Sequence, residues 1–429
     1  MGKERLLSLD TTCREDKQVT REIAAVALEK DKTVAAFDRL LVKAMLKGVG
    51  NPPISIRLWN NEEIRPEGAS GGERLVIRDR RALYQLILNP ELHFGELYSA
   101  GRIDVEGDLP ALLASIYRAI NRPDTAWLSF LIAKWRKRSR RANTLSRARR
   151  NIHRHYDIGN DFYQLWLDRE YAQYTCAYFP GPDMSLEEAQ EAKMHHVCRK
   201  LRLRPGLSVV EAGCGWGGFA RFMASKYGVK VRAYNISHQQ VLHAREKVKS
   251  EDIAGQVEYI EDDYRNIHGD YDIFVSIGML EHVGIENYGE LGRVIDRCLK
   301  ENGAGLIHSI GRNQPGLLNS WIEAKIFPGA CPPSLGQMMN ILEPLEFSVL
   351  DVENLRLHYA LTLQHWLSRF EGQQDVVRQM FDEHFVRAWR LYLSGSIAAF
   401  TSGQMQLFQV LFTRKHNNDL AMTRAHLYG

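Results

Sequence analysis

Ser208-Val-Val-Glu211-Ala-Gly213-Cys-Gly215-Trp216-Gly217-Gly218 decides how this chain is read. Val209-Val210 has the character of a buried strand, and the glycines open directly into Phe219-Ala-Arg-Phe-Met223, which reads as a helix. Four glycines in six positions allow a sharp turn and let a ligand lie close to backbone at a helix N-terminus. Gly213-x-Gly215-x-x-Gly218 has the spacing of the dinucleotide fingerprint, but no Gly-Lys-Ser/Thr of the Walker type follows. A triphosphate ligand is therefore disfavoured. Glu211, just ahead of the loop, suits an amine-bearing or cationic ligand.

Downstream the pattern repeats. Residues 230–237 read as a second strand, with Gln239 and Gln240 opening its helix. Residues 257–261 form a third that leads to Asp263 and Tyr264, residues 271–278 a fourth that delivers Glu281, and residues 305–311 a fifth that bears His308 and Ile310. Such alternation predicts a parallel, Rossmann-like sheet with its ligand crevice beyond the C-terminal strand ends. Glu281 is the first candidate for a catalytic acid there. A lone histidine on an apolar strand is usually core, and His308 gains weight only from its expected place beside Glu281. Residues 319–329 and 335–342 read as helices inserted before the sheet resumes, and 357–370 as an amphipathic helix; together they are expected to roof an apolar tunnel. Residues 385–400 read as a last helix, 404–413 as a closing strand, and the tail after Arg414 as frayed.

The stretch 208–218 resembles motif I of the class I S-adenosylmethionine-dependent methyltransferases. That resemblance implies that Glu211 bonds, directly or through water, to the amino group of the methionine moiety, beside Gly213, Gly215, Trp216 and Gly217. It puts Asn235, Ile236 and Gln240 on the ribose, and Asp263 and Tyr264 at the adenine. Many such enzymes carry an acid where this chain has Asn235. Aromatic, hydroxyl and thiol groups are dense in residues 152–163 and in Tyr174-Thr175-Cys176-Ala177-Tyr178-Phe179, which suggests a lid over the cofactor.

With these stretches added, residues 151–413 resemble the cyclopropane fatty acid synthase family, which acts on unsaturated acyl chains of phospholipids and carries a neutral polar residue at the Asn235 position. Tyr174 and Thr175 then join the cofactor set. An alkene is a weak nucleophile, so its attack on a sulfonium methyl needs proximity and a dry site. Trp216, Tyr178, Phe274 and Tyr359 are aromatic types able to face the resulting cation. The resemblance further implies a bound bicarbonate as base, held by Cys176, Glu281, His308, Ile310 and Tyr359. In one respect the chain departs from the family: Tyr392-Leu-Ser-Gly-Ser396 has Ser396 where many members have a cysteine.

One catalytic domain is expected over 151–429, and ahead of it residues 31–125 mix helix and strand signals and read as a small α+β domain for lipid, membrane or dimer contact, with a purely structural role equally open. Residues 1–30 read as a poorly ordered lead-in. Residues 133–150 hold a run of lysines and arginines without one acid, preceded by Trp127, Leu128, Phe130, Leu131 and Ile132. Each basic residue near an anionic bilayer contributes about 1 kcal/mol, so this linker at 126–150 is expected to dock on anionic lipid. A solvated linker is the plainer reading, and nucleic acid is disfavoured because no binding motif accompanies the cluster.

The 429 residues are 45% hydrophobic and 25% charged, with a net charge of +4, as in ordinary globular chains. Six scattered cysteines form no Cys-x-x-Cys pair, so neither a disulfide framework nor a metal site is expected. A cytoplasmic enzyme, peripheral on the inner face of the membrane and a homodimer, is the expectation. A methyl- or methylene-branching enzyme, a small-amine methyltransferase and a non-catalytic lipid-binding protein are the other readings.

Overall fold

The computed structural model describes residues 33–68, 72–120, 158–181, 183–249 and 251–428. The expected lead-in (1–30), the basic linker (126–150) and the start of the aromatic stretch (151–157) lie outside them. The chain divides into two compact units: one holds the described residues before 121 together with Glu371–Ala398, the other those from 158 to Phe370 and from Ala399 onward.

In the first unit, β1 (Ser55–Arg57), β2 (Glu63–Ile64), β3 (Arg74–Ile77) and β4 (Ile103–Glu106) form a sheet of order β2-β1-β3-β4, in which only β1 and β3 run parallel. The helix Arg80–Leu88 starts where the Asp79 side chain accepts the Ala82 N–H at 2.8 Å, a cap of the kind that stabilises by about 1 kcal/mol. Contrary to the expectation of one catalytic domain over 151–429, residues 371–398 belong to this unit. The reason is polar as well as apolar. Arg387 donates to the Tyr98 carbonyl at 2.6 Å, lies 4.3 Å over the Tyr98 ring and pairs with Asp104 at 3.3 Å, while Arg390 donates to the Tyr98 hydroxyl at 2.9 Å.

The second unit holds β5 (Ser208–Ala212), β6 (Lys230–Asn235), β7 (Val257–Glu261), β8 (Tyr271–Ile277), β9 (Leu299–Gly311), β10 (Phe347–Asn354) and β11 (Gln406–Arg414). Their order is β10-β11-β9-β8-β5-β6-β7, with β11 antiparallel to both neighbours and the β9-β8-β5-β6-β7 ladders parallel. The expected Rossmann-like sheet is therefore present. Alternate residues of β5 and β8 supply its two faces: Val209, Ile273 and Val275 pack with Phe219 and Phe222, and Val210 and Phe274 with Tyr288 and Ile295. Each such burial stabilises by about 1.5–3 kcal/mol. Phe274 is thus a core residue, one of the cation-facing candidates removed.

Edge strand β10 went unread because a register shift between Val349 and Asp351 breaks its alternation. The tail expected to fray is docked: Leu427 is buried, its carbonyl accepts from Arg199 at 3.2 Å, and Arg424 pairs with Asp351. Among the described residues no helix is long and apolar enough to cross a membrane.

Candidate active site

The sheet's order reverses at β5, between β8 and β6, and the glycine loop leaves β5 at that switch point, where open α/β sheets form their crevice. Gly213 and Cys214 both donate to the Tyr234 carbonyl, at 2.9 and 3.0 Å, and Gly217 donates to Cys214 at 2.8 Å. These three N–H groups close the loop and are not free to meet a ligand. Gly217 has φ of 79°, and a Cβ there would meet the Tyr259 ring at 2.6 Å. Gly215, at φ 53°, would meet nothing within 4 Å.

A cavity of about 110 Å³ opens over this loop, lined by Tyr174, Thr175, Glu211, Gly213, Gly215, Trp216, Asn235 and Gln240 from the expected set. Gln173, Met279 and His282 also line it. Gly217, Ile236, Asp263 and Tyr264 lie outside this lining: Asp263 caps a short turn by accepting the Arg265 N–H at 3.0 Å, and Tyr264 lies under the Arg265 guanidinium at 5.2 Å. Asn235 donates from Nδ2 to the Gly215 carbonyl at 3.1 Å and to Gln240 Oε1 at 2.8 Å, tying the second strand's end to the loop.

Glu211 is buried, and its Oε2 has no hydrogen-bond partner among the described residues. Burial pushes its carboxyl up to about 8, opposed by the charge of Lys193. Lys193 is itself fully buried on the helix Leu186–Lys200, where its Nζ donates to Gln173 Oε1 at 2.5 Å and to Thr175 Oγ1 at 3.0 Å. Desolvation draws its ammonium down to about 8. One buried cation thus anchors two residues of the cavity wall and faces the cavity's acid. An unpartnered buried acid beside an open-sided glycine fits a cationic, amine-bearing nucleoside such as S-adenosylmethionine.

The aromatic stretch ahead of the sheet is packed more than it is lid-like. Phe162 and Tyr163 are fully buried, and Tyr163 meets Trp216 at 5.0 Å and Tyr174 at 5.3 Å between ring centroids. Each such pair adds about 0.5–1.5 kcal/mol beyond area burial. Tyr178 is stacked on His196 at 4.3 Å and on His358 at 4.8 Å, and so serves as packing between imidazoles.

Beyond the cavity, Glu281 sits on a short turn after β8, and its Oε1 accepts the Ile310 backbone N–H at 2.6 Å. Burial pushes its carboxyl up to about 7, partly countered by backbone donors including Ile310. The sheet sets His308 in register with Ile277 on β8 and Gln409 on β11, and Gln409 Nε2 lies 3.0 Å from His308 Nδ1. Glu281 Oε2 and His308 Nε2 are both buried without a partner among the described residues. Desolvation holds the imidazole well below its ordinary range, so His308 is neutral.

Cys176 and Tyr359 meet at one carbonyl: the Tyr359 N–H donates to Leu355 at 3.1 Å, and Cys176 Sγ lies 3.9 Å from the same oxygen. The Leu355 N–H donates to Leu407, which stands opposite Ile310 in the sheet, so this pair is tied to the strands bearing the first group. Burial pushes the Cys176 thiol far up, which keeps it neutral. The orphaned carboxylate and imidazole fit a small oxyanion that also carries an O–H, as bicarbonate does. Sequence reasoning missed Lys193, Gln173 and Gln409. Lys193 reads as one more surface charge on a polar helix, and Gln409 as one polar residue in an apolar strand.

Residues 143–410 match the family model described as mycolic acid cyclopropane synthetase, and residues 41–122 match a domain described only as of unknown function. A probable fatty acid methyltransferase of Pseudomonas putida is 33% identical over 387 residues, 88% of this chain and 96% of that one. The cyclopropane-fatty-acyl-phospholipid synthase of Escherichia coli K12 is 40% identical over 271 residues, 63% of this chain and 69% of that one. Among solved structures, a mycolic acid cyclopropane synthase complexed with SAH and CTAB aligns with a TM-score of 0.59 at 30% identity, over 62% of this chain and 98% of that one.

Proposed function

We propose, from the premise that this chain belongs to the mycolic acid cyclopropane synthetase family of S-adenosylmethionine-dependent methyltransferases, that it converts cis double bonds in phospholipid acyl chains to cyclopropane rings. The observation that carries the reading is two buried, unpartnered atoms, Glu281 Oε2 and His308 Nε2, on chain segments whose neighbours Ile277, Gly278, Met279 and His282 line the cavity that also holds the buried acid Glu211. In this reading Glu211 receives the ammonium of the cofactor's methionine, and Gly213, Gly215 and Gly217 shape the loop against it. Asn235, Ile236 and Gln240 serve the ribose, Asp263 and Tyr264 the adenine, and Tyr174 and Thr175 the near wall. Trp216 and Tyr359 present aromatic faces to the cation formed on the acyl chain.

Glu281, His308, the Ile310 backbone, Cys176 and Tyr359 would hold bicarbonate. When bound, that ion supplies the proton acceptor that lets the ring close. Glu281 and His308 orient it, the Tyr359 hydroxyl donates to it, and the neutral Cys176 thiol excludes water from its edge. The substrate would be drawn from a bilayer by an enzyme resting on the cytoplasmic face, with the basic linker on anionic headgroups, the inserted helices roofing the chain, and two copies associated.

The test is mass spectrometry of acyl chains after incubating the purified protein with S-adenosylmethionine and vesicles of cis-unsaturated phospholipid, with and without added bicarbonate. A gain of one CH2 that hydrogenation leaves unchanged, and that depends on bicarbonate, is the expected result. A gain with a double bond retained or shifted would show branching instead. Cofactor binding without any gain would point to another acceptor or to a binding role.

A further inference from the structure

His308 and Gln409 stand directly opposite each other on antiparallel strands β9 and β11, so their side chains share one face of the sheet. Both are buried, Gln409 with no exposed surface, and the Gln409 amide nitrogen lies 3.0 Å from His308 Nδ1. An amide nitrogen donates and does not accept, so Nδ1 must be the accepting nitrogen of the ring. A neutral imidazole carries one proton, and that proton is then on Nε2, the atom without a partner.

We infer that Gln409 is a positioning residue that locks His308 in the Nε2–H form and thereby makes His308 a hydrogen-bond donor in the reaction rather than its base. The consequence is chemical. With Nδ1 occupied and Nε2 protonated, the ring has no lone pair for the proton lost at ring closure, and that proton must go to an oxygen. The unpartnered atoms are consistent with this division: Gln409 Oε1 can only accept, Glu281 Oε2 accepts once its carboxyl is ionised, and His308 Nε2 donates. A ligand that answers all three carries both an oxyanion oxygen and an O–H.

That His308 meets such a ligand rests on the function proposed above, but the tautomer does not. It is read on the full chain labelled with [15N]histidine, with no cofactor, lipid or bicarbonate present, by two-bond nitrogen–proton correlation spectroscopy. The His308 signal is identified by its loss in His308→Asn, or by its displacement in Gln409→Leu. The expected wild-type pattern is a neutral ring protonated on Nε2. In Gln409→Leu the second tautomer should become populated and kcat should fall roughly 10- to 100-fold, as for other residues that orient a site histidine, with adenosylmethionine binding unchanged within about twofold. A wild-type ring protonated on Nδ1, or charged, would overturn the inference, as would Gln409→Leu with an unaltered tautomer and kcat. Should Gln409→Leu not fold, the wild-type spectrum still decides. Failure of the proposed reaction would show as absent turnover with the Nε2–H pattern intact.

Discussion

The Glu281 carboxylate accepts the Ile310 backbone N–H at 2.6 Å through Oε1 and holds Oε2 buried and unpartnered. That division of one carboxylate gives a fixed orientation and an open acceptor on the same group. It also makes the group sensitive to pH. Burial raises its carboxyl from 4.5 to about 7, so the folded chain keeps a proton that the unfolded chain has released. The stability so contributed is present below 4.5 and lost as pH rises through about 7, at most roughly 3 kcal/mol. Glu281→Gln should therefore gain Tm relative to the parent between pH 5 and 8 while losing turnover by 100-fold or more. Wild-type turnover, at fixed bicarbonate, should rise with pH through about 7. Calorimetry and initial rates on the same samples check both halves.

Cofactor affinity should have its own pH dependence. A cationic ligand selects ionised Glu211, whose carboxyl burial lifts to about 8, so adenosylmethionine binding should tighten as pH rises from 6.5 towards 8. Glu211→Gln should weaken binding roughly 10- to 100-fold, the worth of a charge-assisted hydrogen bond, and flatten the profile. Lys193→Met removes the opposing cation and unties Gln173 and Thr175, so its profile should move to higher pH. Titration calorimetry across that range decides.

Two glycines of one loop should fail differently. Gly217→Ala meets the Tyr259 ring at 2.6 Å at a positive φ, so it should destabilise the fold by about 2–4 kcal/mol. Gly215→Ala has open space around it, so it should reduce stability by only about 1 kcal/mol and act mainly by weakening adenosylmethionine binding. Thermal melts and cofactor titration separate the two effects.

Much of this arrangement is legible in the sequence because it is local. The loop 213–218, the strands that precede Asn235 and Glu281, and the helix over 335–342 announce themselves through glycine spacing and apolar runs. What escaped is nonlocal or hidden in ordinary chemistry. Lys193 looks like a surface lysine until the fold buries it against Gln173 and Thr175. Gln409 matters only because β11 enters antiparallel beside β9 and sets it opposite His308. Residues 371–398 follow the methyltransferase helices in sequence but take their partners, Tyr98 and Asp104, from far upstream.

Ser396, the position at which the sequence resemblance implies a cysteine in other members, has its hydroxyl donating to the Tyr392 carbonyl at 2.8 Å within its own helix. A group bonded in this way is no nucleophile, so Ser396→Cys and Ser396→Ala should leave turnover within about twofold and stability within about 1 kcal/mol of the parent. Rates of the two variants measured side by side test it, and a large gain with cysteine would contradict it.

The most direct test of ring closure uses S-adenosylmethionine labelled with CD3, incubated with cis-unsaturated phospholipid vesicles and bicarbonate, with the acyl chains then hydrogenated and weighed. Removal of one deuteron from the transferred methyl, with a product that keeps the other two and takes up no hydrogen, is the predicted result. A product that retains all three deuterons, or that takes up hydrogen, would contradict cyclopropane formation and establish a branching methyltransferase in its place.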